Sequence, residues 1–201
     1  RQRARRIQRV GAGRRLRQHL GEQPKDVLII GAGLVGSELA NDLALGGHRI
    51  TLLDTAAEPL ARWHDQQAGP QLLDAWKDLS IRFEGGLQVE QVERVGSRYR
   101  VSTTSGRRFA ADEVVVAAGL QPPPRLAQSA ALAWANGIAV DSANLQTSVS
   151  GIHALGDCIS IDGQCSRYIE PIARQARTLV AAILGQPSAP YEHRAAVVRV
   201  K

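Results

Sequence analysis

Residues 26–36 read Asp26-Val-Leu-Ile-Ile-Gly31-Ala-Gly33-Leu-Val-Gly36, a short apolar run followed at once by three closely spaced glycines. Such a run is typical of a strand buried on both faces of a parallel sheet. Apolar residues then recur at helical spacing as far as Leu45, before the helix stop Gly46-Gly47, and a second apolar run covers 49–54. The order strand, glycine turn, helix, strand predicts a right-handed βαβ unit.

The glycine spacing is that of the dinucleotide-binding fingerprint, Gly-x-Gly-x-x-Gly. Gly31 is expected to make the tight turn, Gly33 to let backbone approach a pyrophosphate, and Gly36 to let helix and strand pack closely. The amino end of the following helix would hold the pyrophosphate through unpaired N–H groups and the positive end of its dipole, and Leu34 and Val35 of the turn are counted with the cofactor-binding residues. The alternative interpretation is a tight turn with a structural role only.

Asp54 ends the second strand, 18 residues after Gly36. A carboxylate at this place can accept hydrogen bonds from the adenosine ribose hydroxyls, and its charge repels a 2′-phosphate. The spacing therefore predicts a site for NAD, with NADH favoured over NADPH.

The alternation continues along the chain. We predict a helix near 71–79, a strand at 81–83, strands at 88–95 and 99–104 joined by a turn, and a buried strand at 113–119. Farther on, the patterns predict a strand at 152–157, a helix at 171–184 and a strand at 191–201. The fold class is α/β, with a Rossmann-like parallel sheet and a β-meander crossover in residues 23–120, and Pro122-Pro-Pro124 marks the domain boundary.

Composition excludes several classes of protein. The chain has 201 residues, 44% of them hydrophobic, which is enough to bury a sizeable core. No apolar run approaches the roughly 18 residues that a membrane-spanning helix needs, so we expect a soluble protein that does not enter a membrane. Two cysteines cannot build a disulfide framework, which favours the cytoplasm.

The positive charge is concentrated at one end of the chain. Residues 1–22 contain eight arginines and one glutamate, so their net charge is +7 and that of the other 179 residues is −1. This segment has no aromatic side chains to stack on bases, so binding of nucleic acid would rest on phosphate contacts alone. We therefore expect residues 1–22 to be a solvated or partly disordered basic tail, and keep anion or nucleic-acid binding as an alternative function.

Two motifs together resemble a known family. Residues 27–42, and Thr147-Ser-Val-Ser-Gly-Ile-His-Ala-Leu-Gly-Asp-Cys158, are similar to the FAD-dependent pyridine nucleotide-disulfide oxidoreductase superfamily, with the greatest likeness to its rubredoxin–NAD reductases. The resemblance implies an NAD-binding domain in residues 23–120 and part of an FAD-binding α/β domain in 121–201. It also implies an enzyme that passes hydride from NADH to FAD and then electrons to a rubredoxin- or ferredoxin-type iron protein.

The resemblance also assigns site residues. Glu38 matches a glutamate placed near the flavin and nicotinamide rings, and is the candidate catalytic residue; otherwise it is a helix glutamate favoured by the dipole. Gly119 lies in the segment that bridges the two motifs and is counted with the cofactor-binding residues. The resemblance implies flavin contacts for four further residues: Gly156, Asp157, Ile169 and Lys201. The Asp157 carboxylate would accept hydrogen bonds from the ribityl chain, and Ile169 would lie beside the isoalloxazine.

The sequence departs from the family in three respects. Glu170 stands where the family has an apolar residue, and Cys158 and Cys165 are too far apart for the usual redox disulfide, so electrons would pass directly from flavin to the acceptor. Only one fingerprint is present, because Gly11-Ala-Gly13 lacks the preceding strand and the third glycine. We therefore expect weak FAD binding unless a missing half-domain is supplied, and keep a stand-alone NAD-binding fragment without turnover as an alternative. We predict no metal site, since His153 has no partner at ligand spacing.

Overall fold

The computed structural model describes residues 5–6, 12–62 and 67–194. The chain divides into two compact units between Gly119 and Leu120. The first unit contains β1 (Arg5–Arg6), α1 (Ala12–Leu20), β2 (Asp26–Ile30), α2 (Leu34–Leu45), β3 (Arg49–Leu53), α3 (Ala68–Ala75), β4 (Ile81–Glu84), β5 (Val89–Val95), β6 (Arg98–Thr103), β7 (Arg108–Ala111) and β8 (Glu113–Val116). The second contains α4 (Arg125–Ser129), β9 (Ile138–Ala139), β10 (Ile159–Ser160) and α5 (Ile169–Ile183).

The first unit is built on a five-stranded parallel sheet in the order β1-β8-β2-β3-β4. In register, Ile29 of β2 lies opposite Leu52 of β3 and Val115 of β8. The central position of β2 brings its carboxyl end, where the glycine turn begins, beside the carboxyl ends of β3 and β8. This edge is where open α/β sheets bind their ligands. The predicted α/β fold with a parallel sheet is confirmed.

Both faces of this sheet are covered, which explains why its strands are apolar without alternation. Ile29 joins a core cluster with the helices, including Leu20 of α1 and Ala40 of α2. The next side chain back, Leu28, points the other way and packs with Val101 of the meander. The sheet is thus the middle layer between helices and the antiparallel β5-β6-β7 meander.

The interpretation of residues 1–22 as a tail is wrong for α1. Leu16 and Leu20 are only 6% and 3% exposed and belong to the core on the helical face of the sheet. The two leucines lie four positions apart, on the same side of the helix, so they are buried together while Arg17 stays exposed. The high arginine content concealed this apolar pair. Residues 1–4 and 7–11 lie outside the described residues.

Two predicted strands also differ from the structure. Residues 152–155 form no strand, since only the isolated bridge between Gln146 and His153 pairs them, and Gly156–Cys158 is a single 3₁₀ turn. A short, mainly apolar run does not by itself distinguish a strand from a partly buried loop. Residues 191–194 have no regular structure, and the rest of that predicted strand lies outside the described residues. The short strand β7 was not predicted.

The second unit has its own small core. Leu145, Ile159 and Ile161 are buried there, and Leu179 of α5 packs against them. Strands β9 and β10 pair in parallel, with Ile138 opposite Ile159. Among the described residues, no helix is both long and apolar enough to cross a membrane.

An ion-pair network joins the amino ends of the strands in the first unit, at the edge opposite the glycine turn. The Asp26 carboxylate accepts from Arg49 Nε at 2.7 Å and from Arg98 Nη2 at 2.6 Å. Arg98 also pairs with Asp112 at 3.0 Å. The Arg49 guanidinium, followed by that of Arg98, lowers the pKa of Asp26 below its ordinary value. The network ties the parallel sheet to β6.

This network predicts a pH-dependent contribution to stability. Because the pKa of Asp26 is lower in the folded chain, its stabilisation is fully present above about pH 4 and is lost as pH falls through the folded pKa. Asp26→Asn should lower the free energy of unfolding at pH 7 by about 1 kcal/mol, with the difference from wild type vanishing near pH 2. Urea unfolding across pH 2–7 measures this. The exposed Asp78→Asn is the control, and an Asp26→Asn deficit that persists at pH 2 would contradict the prediction.

Candidate functional site

The glycine turn leaves no room for side chains at two of its three glycines. Gly31 has a φ of +105°, and a Cβ there would lie 2.5 Å from the carbonyl oxygen of Ala117. A Cβ on Gly36 would lie 1.8 Å from the Gly31 carbonyl oxygen. The close approach of α2 to the turn, and of the turn to the end of β8, therefore requires glycine at both positions.

Gly33, in contrast, has open space around it. It is exposed, and a Cβ there would meet nothing within 4 Å. It is the N-cap of α2, with Ser37 N donating to its carbonyl at 2.9 Å. The N–H groups of Leu34, Val35 and Gly36 therefore precede the first intrahelical hydrogen bond. Open space beside these donors is what an anion such as a pyrophosphate needs, so this part of the chain fits a dinucleotide.

Asp54 is tied to the backbone of the same turn. Its Oδ2 accepts from Ala32 N at 2.6 Å, and its Oδ1 accepts from Ala56 N at 2.8 Å. Thr55 Oγ1 also donates to Oδ1, at 3.4 Å, so the second lone pair of Oδ2 is the one left to accept a hydrogen bond from a ribose hydroxyl. The structure thus adds a function that the sequence pattern did not reveal: Asp54 links the glycine turn to the loop that follows β3.

The remaining residues predicted for this unit lie on the same elements. Glu38 is half-buried in α2, one turn after Leu34. Gly119 is exposed with a φ of +85°. It follows Ala117, whose N–H donates to Ile30 O at 2.8 Å and whose carbonyl faces Gly31. The first unit therefore brings together the glycine turn, the amino end of α2, Asp54 and the end of β8.

In the second unit the Gly156-Asp157 motif forms a 3₁₀ turn. Gly156 has a φ of +83°, where glycine is favoured, and Asp157 is exposed. The Gly156 N–H donates to Oε1 of Gln175 on α5 at 2.7 Å. Gln175 is a residue that the sequence analysis missed. Its signal is a polar side chain at a position where the helical pattern places the buried face.

The amino end of α5 is open to solvent. Ile169, its first residue, is 88% exposed, and Tyr168 caps it through the backbone without a side-chain hydrogen bond. An exposed isoleucine at a helix amino end, in the same unit as the exposed Asp157 carboxylate, suits a ligand with both an apolar ring and polar groups. The second unit therefore fits the flavin contacts expected there. Lys201 lies outside the described residues.

Glu170, the departure from the family pattern, is neutralised by a neighbour. Its two carboxylate oxygens accept from Arg174 Nε at 2.9 Å and Nη2 at 3.0 Å. Arg174 lowers the pKa of Glu170 below its ordinary value. The same guanidinium donates to Glu192 O at 3.0 Å and lies 5.1 Å from the centre of the Tyr191 ring. The carboxylate therefore does not stand unpaired at the first turn of α5.

Arg174 should consequently stabilise the second unit. Arg174→Ala removes the bidentate ion pair, the bond to Glu192 and the contact with Tyr191 at once. We expect the free energy of unfolding of this unit to fall by about 2 kcal/mol, measured by urea denaturation. Arg177→Ala, an exposed position on the same helix, should change it by less than about 0.5 kcal/mol. Equal losses in both variants would show that the contacts particular to Arg174 are not the cause.

The two cysteines are free and half-buried. Burial raises the pKa of the Cys158 thiol, which donates to Leu155 O at 3.3 Å. The thiolate needed for redox chemistry is thus disfavoured at neutral pH. Cys165 donates to Asn136 O at 3.6 Å. Within residues 5–6, 12–62 and 67–194, no group of three or more His, Cys, Asp or Glu side chains could hold a metal ion.

Known families and proteins are similar to most of this chain. The family described as pyridine nucleotide-disulphide oxidoreductase matches residues 4–183. A nitric oxide reductase FlRd-NAD(+) reductase of Aeromonas salmonicida is 38% identical over 168 residues, 83% of this chain and 43% of that protein. A rubredoxin-NAD(+) reductase of Acinetobacter baylyi is 36% identical over 176 residues, 86% of this chain and 44% of that protein. The chain thus spans less than half the length of these relatives.

Two solved structures are also similar to most of this chain. A ferredoxin reductase from Rhodopseudomonas palustris superposes with a TM-score of 0.84 at 27% identity, covering 93% of this chain and 47% of that one. The covalent complex of putidaredoxin reductase with putidaredoxin gives a TM-score of 0.81 at 26% identity, covering 94% of this chain and 46% of that one.

Proposed function

The chain belongs to the pyridine nucleotide-disulphide oxidoreductase family, and we propose that it carries the NADH site and part of the flavin site of an NADH-dependent flavoprotein reductase. The observation that carries this proposal is the geometry of the glycine turn. Gly31 and Gly36 are too crowded for a Cβ, whereas Gly33 is open beside the amino end of α2. A glycine turn with a structural role only gives no reason for the open face at Gly33.

NADH would be held by the residues of the first unit. The N–H groups of Leu34, Val35 and Gly36 donate to the pyrophosphate, and the helix dipole stabilises its charge. Asp54 accepts from the adenosine ribose and keeps the turn in place through Ala32 N. Glu38 is the candidate that orients the nicotinamide ring toward the flavin. The cofactors of the proposed reaction are NAD and FAD.

The second unit would contribute to FAD binding. Asp157 accepts hydrogen bonds from the ribityl hydroxyls, Ile169 packs along the ring system, and the amino end of α5 faces the pyrimidine. When bound, FAD supplies the chemistry of accepting a hydride and releasing electrons one at a time. The ion pair between Glu170 and Arg174 removes an unpaired negative charge that would oppose flavin reduction.

The proposed acceptor is a small iron protein of the rubredoxin or ferredoxin type. Names of the relatives support this class, since one is a rubredoxin-NAD(+) reductase and one solved neighbour is a ferredoxin reductase. The half-buried Cys158, with its raised thiol pKa, argues against an internal disulfide relay. Both free thiols also support a reducing compartment, and we propose the cytoplasm.

Two alternative functions remain candidates. A stand-alone NADH-binding unit without turnover is the second candidate, since all the proposed NADH contacts lie in the first unit. Anion or nucleic-acid binding through the amino-terminal arginines is the third. Deleting residues 1–22 would remove the buried Leu16 and Leu20, so this third candidate should be tested by replacing arginines outside α1 and measuring salt-dependent DNA binding.

The test of the proposed function is a visible spectrum followed by two titrations. We expect NADH to bind, with a change in its fluorescence, and added FAD to bind weakly and to bleach when NADH is supplied without oxygen. NADH binding without FAD binding would favour the second candidate. Absence of NADH binding would contradict the proposal itself. Where bleaching occurs, reduction of rubredoxin and of ferredoxin identifies the acceptor class.

A further inference from the structure

A single side chain joins the two elements of the second unit that are expected to contact flavin. Gln175 lies near the middle of α5, six residues after Ile169. Its Oε1 accepts a hydrogen bond from Gly156 N at 2.7 Å. Gly156 begins the 3₁₀ turn that carries Asp157. The turn and the helix are 19 residues apart at this bond. Their relative position thus depends on a tertiary contact.

The burial of Gln175 makes this contact specific. The residue is only 1% exposed, among the most buried large side chains of the described chain. A buried amide and a buried N–H are both costly unless each has a partner, so α5 and the turn are held in the one arrangement that satisfies both groups. An apolar side chain of the same size would fill the space but leave the Gly156 N–H without its acceptor.

The outer side of α5 is held independently. Arg174, the preceding residue, donates to Glu192 O at 3.0 Å and pairs with Glu170 in the first turn. Adjacent residues on a helix point about 100° apart, so Gln175 and Arg174 hold α5 from two different directions. The helix is therefore bonded to the Gly156 turn through one side chain and to Glu192 through another.

We propose that Gln175 is a positioning residue for flavin, which sets the Asp157 carboxylate and the amino end of α5 at the separation that one flavin molecule requires. This inference rests on the proposed function, because it takes the second unit to contact FAD. Gln175 itself touches neither ribityl chain nor ring. It acts through the Gly156 N–H, and its loss should weaken flavin binding without changing the groups that bind.

The experiment compares FAD and NADH binding in the whole chain. Gln175→Met removes the acceptor while keeping an unbranched side chain of similar size. We expect it to weaken FAD binding at least tenfold, by quenching of flavin fluorescence, and to reduce the visible circular dichroism of bound flavin. NADH affinity should stay within twofold of wild type, since its proposed contacts are in the first unit. Amide exchange at Gly156 should accelerate.

Two further variants separate positioning from packing. Gln175→Glu keeps an acceptor oxygen but buries a carboxyl group, so it should bind FAD more tightly than Gln175→Met without reaching wild-type affinity. Thr178→Val, a buried polar position on the same helix, should leave FAD affinity unchanged. The inference is overturned if Gln175→Met binds FAD like wild type, or if Thr178→Val loses as much affinity. If wild type binds NADH but not FAD, the flavin part of the proposed function fails, and this inference fails with it.

Discussion

Gly36→Ala should cost the protein both its stability and its NADH site. The added Cβ would lie 1.8 Å from the Gly31 carbonyl oxygen, which is backbone and cannot move aside without distorting the turn. We expect the free energy of unfolding of the first unit to fall by about 3 kcal/mol, near the upper end of overpacking effects. NADH binding should become undetectable, because the amino end of α2 no longer meets the turn. Urea denaturation and NADH fluorescence titration measure the two effects.

Gly33→Ala is the matched control, since it adds the same methyl group to the same turn. A Cβ there meets nothing within 4 Å, and the φ of −73° suits alanine. Stability should therefore change by less than about 0.5 kcal/mol, while NADH affinity falls at least tenfold because the methyl group occupies the space proposed for the pyrophosphate. Unchanged NADH affinity in Gly33→Ala would place the nucleotide elsewhere.

Asp54→Ala is expected to have the second largest effect. It removes the acceptor for Ala32 N at 2.6 Å and for Ala56 N at 2.8 Å, together with the proposed contact to ribose. Loss of about 2 to 3 kcal/mol in binding corresponds to a decrease in NADH affinity of roughly 30- to 150-fold. Isothermal titration with NADH, alongside urea denaturation, gives the affinity and the stability separately.

Asp54→Asn distinguishes the two functions of the carboxylate. The amide keeps one acceptor oxygen but presents NH2 to the other backbone N–H, so about half of the binding loss should remain. Since the negative charge is gone, the ratio of NADH affinity to NADPH affinity should decrease. An unchanged preference would mean that Asp54 supports the turn but does not face the ribose.

Local patterns predicted the centre of the first unit well. The strand β2, the glycine turn and β3 were predicted from residues adjacent in the chain, because apolar runs and glycine spacing depend on neighbouring residues. The helix α1 was not predicted, since the burial of Leu16 and Leu20 depends on the sheet beneath them. The predicted strand at 152–157 failed for a related reason: Ala154 and Leu155 are partly buried against the core of the second unit rather than in a strand ladder, and Ile152 is exposed.

The candidate site, too, could be predicted from the sequence only in part. The sequence predicted a set of site residues, and the structure brings four of them, Gly31, Gly33, Gly36 and Asp54, to one sheet edge. The assigned functions of Glu38, Asp157 and Ile169 stay predictions, as does that of Lys201. The hydrogen bond between Gln175 and Gly156 could not be predicted, because a polar residue in a helix pattern does not indicate which distant N–H it will meet.

The sequence alone determined the α/β class, the family and the glycine turn, because the turn depends on backbone sterics over a few consecutive residues. Only the tertiary structure decided which side chains hold the glycine turn of the first unit and the Gly156 turn of the second unit in place. Asp54 binds Ala32 N, Gln175 binds Gly156 N and Arg174 neutralises Glu170. The first two of these join separate elements, and a buried polar group takes whichever partner the packed chain brings to it.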